Sequence, residues 1–152
     1  MTQAHQIGPG QVGDLITMIV PCGGRESHNS DTPLVVGAFS FNPSDYSLAN
    51  ATVAFRFVII AANGTTPLTT HVKLRNMTDG EDVTTSILDV VDATSQAKYQ
   101  ATLTVGAAAG NLKNTGEKIY ECRIYLDAPA SNPSTDTIEL YKAEIQIVFT
   151  VL

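Results

Sequence analysis

Apolar residues recur at every second position through most of the chain, the signature of half-buried strands. The pattern is strongest over residues 51–61, where Val53, Phe55, Phe57 and Ile59 alternate with Ala54, Arg56, Val58 and Ile60. Thr70, Val72 and Leu74 then alternate with His71, Lys73 and Arg75, which predicts a strand with one wet face. Over residues 118–126, Tyr120, Cys122, Ile124 and Leu126 face one way and Glu121, Arg123 and Tyr125 the other. Further strands are predicted over residues 12–20, closed by Pro21, and over 34–41, 83–91, 99–105 and 137–152. In the last of these, Ile138 and Leu140 set one phase, while Ala143, Ile145, Ile147, Phe149 and Val151 set the other. A period-2 pattern that slips at Tyr141-Lys142 predicts a β-bulge, because one added residue exchanges the two faces.

Glycine, proline and small polar residues punctuate these runs. Residues 22–33, 106–116 and 127–136 read as long loops, and Asn63-Gly64 and Asp79-Gly80 as hairpin turns. The opening stretch, Met-Thr-Gln-Ala-His-Gln-Ile-Gly-Pro-Gly-Gln, has no period. Residues 1–11 read as an extended N-terminal arm or as plain disorder, ahead of one domain over 12–152. About eight strands with no helical period define an all-β, single-domain antiparallel β-sandwich. A jelly-roll-like order is the leading topology, since the long loops suit connections between sheets, with a small barrel as the alternative.

The chain is 152 residues long, 43% hydrophobic and only 16% charged, with a formal net charge of −6. Phosphate recognition needs clustered Lys and Arg, so the balance disfavours nucleic acid and, equally, an anionic membrane surface. No window approaches the length of an apolar membrane span, and residues 1–12 lack the basic start and apolar stretch of a signal peptide.

The candidates for chemistry are sparse. Cys22, His28 and Asp31 share one glycine-rich loop, the residue types of a nucleophile and its base, but catalytic pairs usually converge from separate rigid elements. His5, His28, His71 and the two cysteines have no zinc-ligand spacing. Asp79, Glu81 and Asp82, with Asp89 and Asp92 further on, offer oxygens for a hard cation but read more simply as a charged turn. Cys22 and Cys122 either form one long-range bridge or, more simply, are two small buried residues. Three glycosylation sequons, beginning at Asn50, Asn63 and Asn76, are of the kind a Thr-rich chain produces by chance. The expectation is a protein that is not an enzyme and holds no metal or cofactor.

The anomaly is apolar residues on both faces of certain strands. Val58 and Ile60 oppose the phenylalanine face of their strand, and Leu15, Thr17 and Ile19 oppose Ile16, Met18 and Val20. Such a second face is covered by the chain's own loops, by the arm or by another subunit. The expected partner-contact residues are Ile7, Leu15, Ile19, Val58 and Ile60.

With Leu74-Arg-Asn-Met-Thr-Asp-Gly80, Tyr120-Glu-Cys-Arg-Ile-Tyr-Leu126, Asp136-Thr-Ile-Glu-Leu140 and the run from Ala143 to Val148, the last 80 or so residues resemble the β-sandwich decoration (cement) and head-accessory proteins of tailed phages. The resemblance is one of style, without a diagnostic motif. It implies a structural protein that stabilises a capsid shell. Its partners would be the major capsid protein or other virion subunits, in a homo-oligomer such as a trimer. Its location would be the virion, after assembly in the host cytoplasm. The alternative is a carbohydrate- or host-surface-binding module.

Overall fold

The computed structural model describes residues 12–64, 69–91 and 93–152. The arm, with His5 and Ile7, lies outside the described residues, as do Pro67 and Asp92. The described chain is an all-β sandwich of nine strands: β1 (Leu15–His28), β2 (Leu34–Phe41), β3 (Ala51–Asn63), β4 (Thr70–Asn76), β5 (Glu81–Asp82), β6 (Leu88–Val90), β7 (Ala97–Thr102), β8 (Lys118–Leu126) and β9 (Ile138–Val151). One sheet runs β1-β9-β3-β7 and the other β2-β8-β4-β5, with β6 also paired to β4. The antiparallel pairs are nested: β1 with β9, β2 with β8, β3 with β7, and β4 with β6. Between the sheets lies one core, in which Phe57, Ile59, Leu74, Tyr120, Ile124, Ile145 and Ile147 are fully buried.

β9 is the organising strand, because both its edges are paired. The predicted slip is present. Ile60 pairs with Lys142 and Ala61 with Leu140, leaving Tyr141 as the extra residue. The bulge lets Leu140 and Ala143 both point into the core.

Three local expectations are corrected. β1 does not stop at Pro21 but runs on to His28, with a register shift between Pro21 and Gly23. Val151 N–H donates to Asp14 O, which fixes the alternation along this edge: even-numbered residues turn their backbone groups toward β9 and odd-numbered residues away from it. The N–H that Pro21 lacks would face away from the sheet, so an edge strand tolerates it. Asn63-Gly64 is not a hairpin turn, since β3 and β4 lie in different sheets. Gly64 is there for close approach, with its N–H donated to Thr137 O. The predicted strand over 83–91 is a 3-10 turn, Thr84–Ser86, followed by the short β6. The buried Ser86 hydroxyl accepts from Leu74 N and donates to Val83 O, taking bonds a continuous strand would have made. Asp79-Gly80 does close a hairpin, with Gly80 at φ +73° and its N–H on Asn76 O.

The two sheets pinch together where β1 crosses β2. A Cβ on Gly37 would be driven into the Cys22 carbonyl oxygen and the Gly23 backbone, whereas one on Gly24 would meet its nearest atom at 3.7 Å. Gly37→Ala is therefore expected to cost about 2–3 kcal/mol in urea unfolding, with Gly24→Ala within about 0.5 kcal/mol of the parent.

Candidate functional site

The outward side chains of the two sheets differ in kind. On the second sheet they form a charge-compensated polar lattice. Asp82 lies 2.8 Å from Lys73 Nζ and 3.0 Å from Arg75 Nη1. Burial alone would raise the Asp82 pKa, but the two cations outweigh it and hold the carboxyl below its ordinary value. His71 spans two strand ends, with Nδ1 2.8 Å from Asp89 and Nε2 3.0 Å from Asp127. Arg123 grips Glu121 at 2.6 Å, and Lys73 sits over the Tyr125 ring. Toward β2 the same face exposes Ile119 and Val35.

The outer face of the first sheet is built from the alternate residues of β1, β9, β3 and β7. Leu15, Thr17, Ile19 and Pro21 come from β1, and Val148 lies in register between Thr17 and Ala54. Val58 lies between Glu144 and Gln100. The face also carries charge: Glu144 accepts from Gln146 at 3.0 Å and pairs with Lys142 at 2.7 Å, Arg56 lies in register with Gln146, and Lys98 lies on β7 opposite Ile60. Of the expected contact residues, Leu15 is 65% exposed and Ile19 56%, Ile60 is half-buried, and Val58 is only 2% exposed. Val58 is thus sealed, while Leu15 and Ile19 stand open at the β1 edge. Ile7 lies outside the described residues.

The other sequence candidates scatter. Cys22 points into the core, and His28 lies six residues further along β1, roughly 20 Å away, with Nε2 against Thr32 O at 2.6 Å. The two residues are not brought together. The acidic turn is neutralised in place: Asp79 pairs with Lys118 at 3.2 Å and Glu81 with Lys113 at 2.6 Å, beside the Asp82 pairs. Among the described residues no group of three His, Cys, Asp or Glu side chains is placed to hold a metal ion.

A groove that the sequence reading missed opens at one corner of the sandwich, with a volume of about 480 Å³. Val53, Phe55, Leu103 and Val105 give it an apolar wall, and Ser44, Asn114 and Tyr46 a polar rim. Tyr46 stacks on Phe41 at 5.2 Å and meets Phe55 edge-on at 6.4 Å. The turn at 42–45 carries Tyr46 there, but nothing in the spacing brings residues near 53, 103 and 114 to it.

No protein-family model matches the chain, and no curated protein matches it. Solved structures that resemble it in outline include the structure of infectious bursal disease virus, Gx strain (TM-score 0.47, 7% identity, 96% of this chain and 35% of that one). The VP2 subviral particle of the same virus matches with TM-score 0.41, 9% identity, and 96% and 36% coverage. The EclA C-terminal domain, a sugar-binding protein, matches with TM-score 0.38, 14% identity, and 92% and 88% coverage. This chain spans about a third of the length of the viral chains. None of these likenesses is close enough to carry a functional conclusion.

Cys22 and Cys122 are both free and buried. Burial pushes the Cys122 thiol up to about 12, and burial, then the neighbouring Cys122, raises that of Cys22. Thiolate is the reactive form, so the folded protein at pH 8 is expected to leave a thiol reagent uncoloured, with both cysteines titrating once urea unfolds it.

Proposed function

We propose that the chain is a non-enzymatic structural protein of a virus particle, a capsid-decoration protein that docks on the shell through the outer face of its first sheet and its N-terminal arm. The observation that supports this is the contrast between the two outer faces. One carries a set of ion pairs, with Ile119 and Val35 exposed toward β2; the other carries Arg56, Lys98 and the Lys142–Glu144 pair and exposes Leu15 and Ile19 along an edge strand that no described strand covers. An exposed apolar patch of this kind marks an interaction surface. The nested antiparallel pairing supports reading the sandwich as jelly-roll-like, an arrangement used by capsid and lectin domains. A fold by itself fixes no function, so the weight rests on the face. The partners would be the major capsid protein or other virion subunits, met in the virion after assembly in the host cytoplasm. Each copy needs only a standard interface of roughly 800 Å², because repetition by symmetry multiplies weak contacts.

Co-sedimentation with viral shells stripped of this protein tests the reading. The parent should pellet with the shells. Leu15→Glu combined with Ile19→Glu should weaken binding at least about tenfold while moving the melting temperature little, since both side chains are exposed. Removing residues 1–11 should also weaken it. Equal pelleting of parent and double variant would contradict the role of this face.

The corner groove favours a second reading, a sugar-binding module. An aromatic ring beside hydroxyl and amide groups suits the mixed apolar and polar faces of a sugar. It predicts that soluble glycans raise the melting temperature of the parent and not of Tyr46→Ala. A flat response across a glycan panel removes it.

A further inference from the structure

We infer that β1 pairs edge to edge with β1 of a second copy of this chain, across a two-fold axis at Thr17. Among the described residues, β1 in the first sheet has β9 on one side and no strand on the other. Because Val151 N–H bonds Asp14 O, the backbone groups of Ile16, Met18 and Val20 turn toward β9. Those of Leu15, Thr17 and Ile19 turn outward. The outward ladder has definite ends. Below, Gly13 N–H is already taken by Val151 O. Above, Pro21 has no N–H to give, and the pinch against Gly37 follows at once. The free stretch is therefore centred on Thr17.

An antiparallel pairing about that centre sets Leu15 against Ile19 of the second copy and Thr17 against Thr17, each pair exchanging both N–H···O bonds. On the other face it sets Ile16 against Met18. Within residues 15–19 every apolar side chain meets an apolar one, and the charge of Asp14 falls only at the two ends of the seam, opposite Val20. Natural edge strands are normally blunted by a lysine, an inward charge or a proline within the free stretch. β7, at the other edge, carries Lys98; residues 15–20 of β1 carry none of these. Leu15, Met18 and Ile19 are exposed in the single chain. A strand meeting itself this way closes as a dimer, in place of the trimer that the phage resemblance implies. The two first sheets become continuous, and the apolar strip of Leu15 and Ile19 is doubled on one side of the pair. The pairing does not depend on the shell-binding reading.

Sedimentation velocity on the full chain over a wide dilution series tests it. The parent should sediment as a dimer that dissociates on dilution. Thr17→Lys places two ammonium groups face to face at the axis and should weaken the dimer at least about fivefold. Thr17→Glu should do the same, and mixing the two variants should restore dimer as the heterodimer. Thr17 is exposed and its backbone groups face away from β9, so each variant should keep the parent's cooperative melt. A monomeric parent, a trimer, an oligomer indifferent to both variants, or a loss that mixing does not rescue would each overturn the pairing.

Discussion

The backbone alternation along β9 is the constraint from which the rest follows. With both its edges occupied, each residue of β9 commits its N–H and C=O to one neighbour, β1 or β3, and its side chain to one face. The single extra residue at Tyr141 resets that assignment midway. Ile145, Ile147 and Phe149 thereby reach the core, and Glu144, Gln146 and Val148 come to lie on the outside of the sheet. The same bookkeeping, carried across to β1, decides which of its peptide groups are satisfied and which are not.

The sandwich has two outer faces. The second sheet spends its charged residues in pairs, Lys73 and Arg75 with Asp82 across β4 and β5 and Arg123 with Glu121 along β8, and leaves Ile119 and Val35 exposed toward β2. The outer face of the first sheet carries Arg56, Lys98 and the Lys142–Glu144 pair. Val58 and Val148 at its centre are buried. Its edge is not closed, and there the unsatisfied peptide ladder and the exposed apolar side chains coincide on Leu15 and Ile19. Leaving both uncovered is costly, which is why the proposed binding role is assigned to this edge.

Much of the fold was legible in the sequence because a sandwich writes its core in period 2. The faces of β3, β4 and β8 and the slip in β9 could be read from side-chain alternation alone. What could not be read depends on position in the sheet. Pro21 looks like a terminator until β1 is known to be an edge strand, where the missing donor faces outward. Asn63-Gly64 looks like a tight turn until its flanking strands prove to lie in different sheets. Ser86 breaks a β-branched run through a hydroxyl bonded to Leu74, twelve residues away. The candidate contact residues were legible as surplus apolar positions, but that Val58 is sealed and Ile19 open is a matter of neighbours. The Tyr46 groove was invisible because distant segments build it.

Amide hydrogen exchange resolved to single residues tests the central claim directly, that the outward ladder of β1 has no partner within its own chain. In dilute protein the amides of Ile16 and Met18 should be protected by β9, while those of Leu15, Thr17 and Ile19 exchange quickly. Protection of Leu15, Thr17 and Ile19 at every dilution, equal to that of Ile16 and Met18, would mean that the chain already covers its own edge, and would contradict the account.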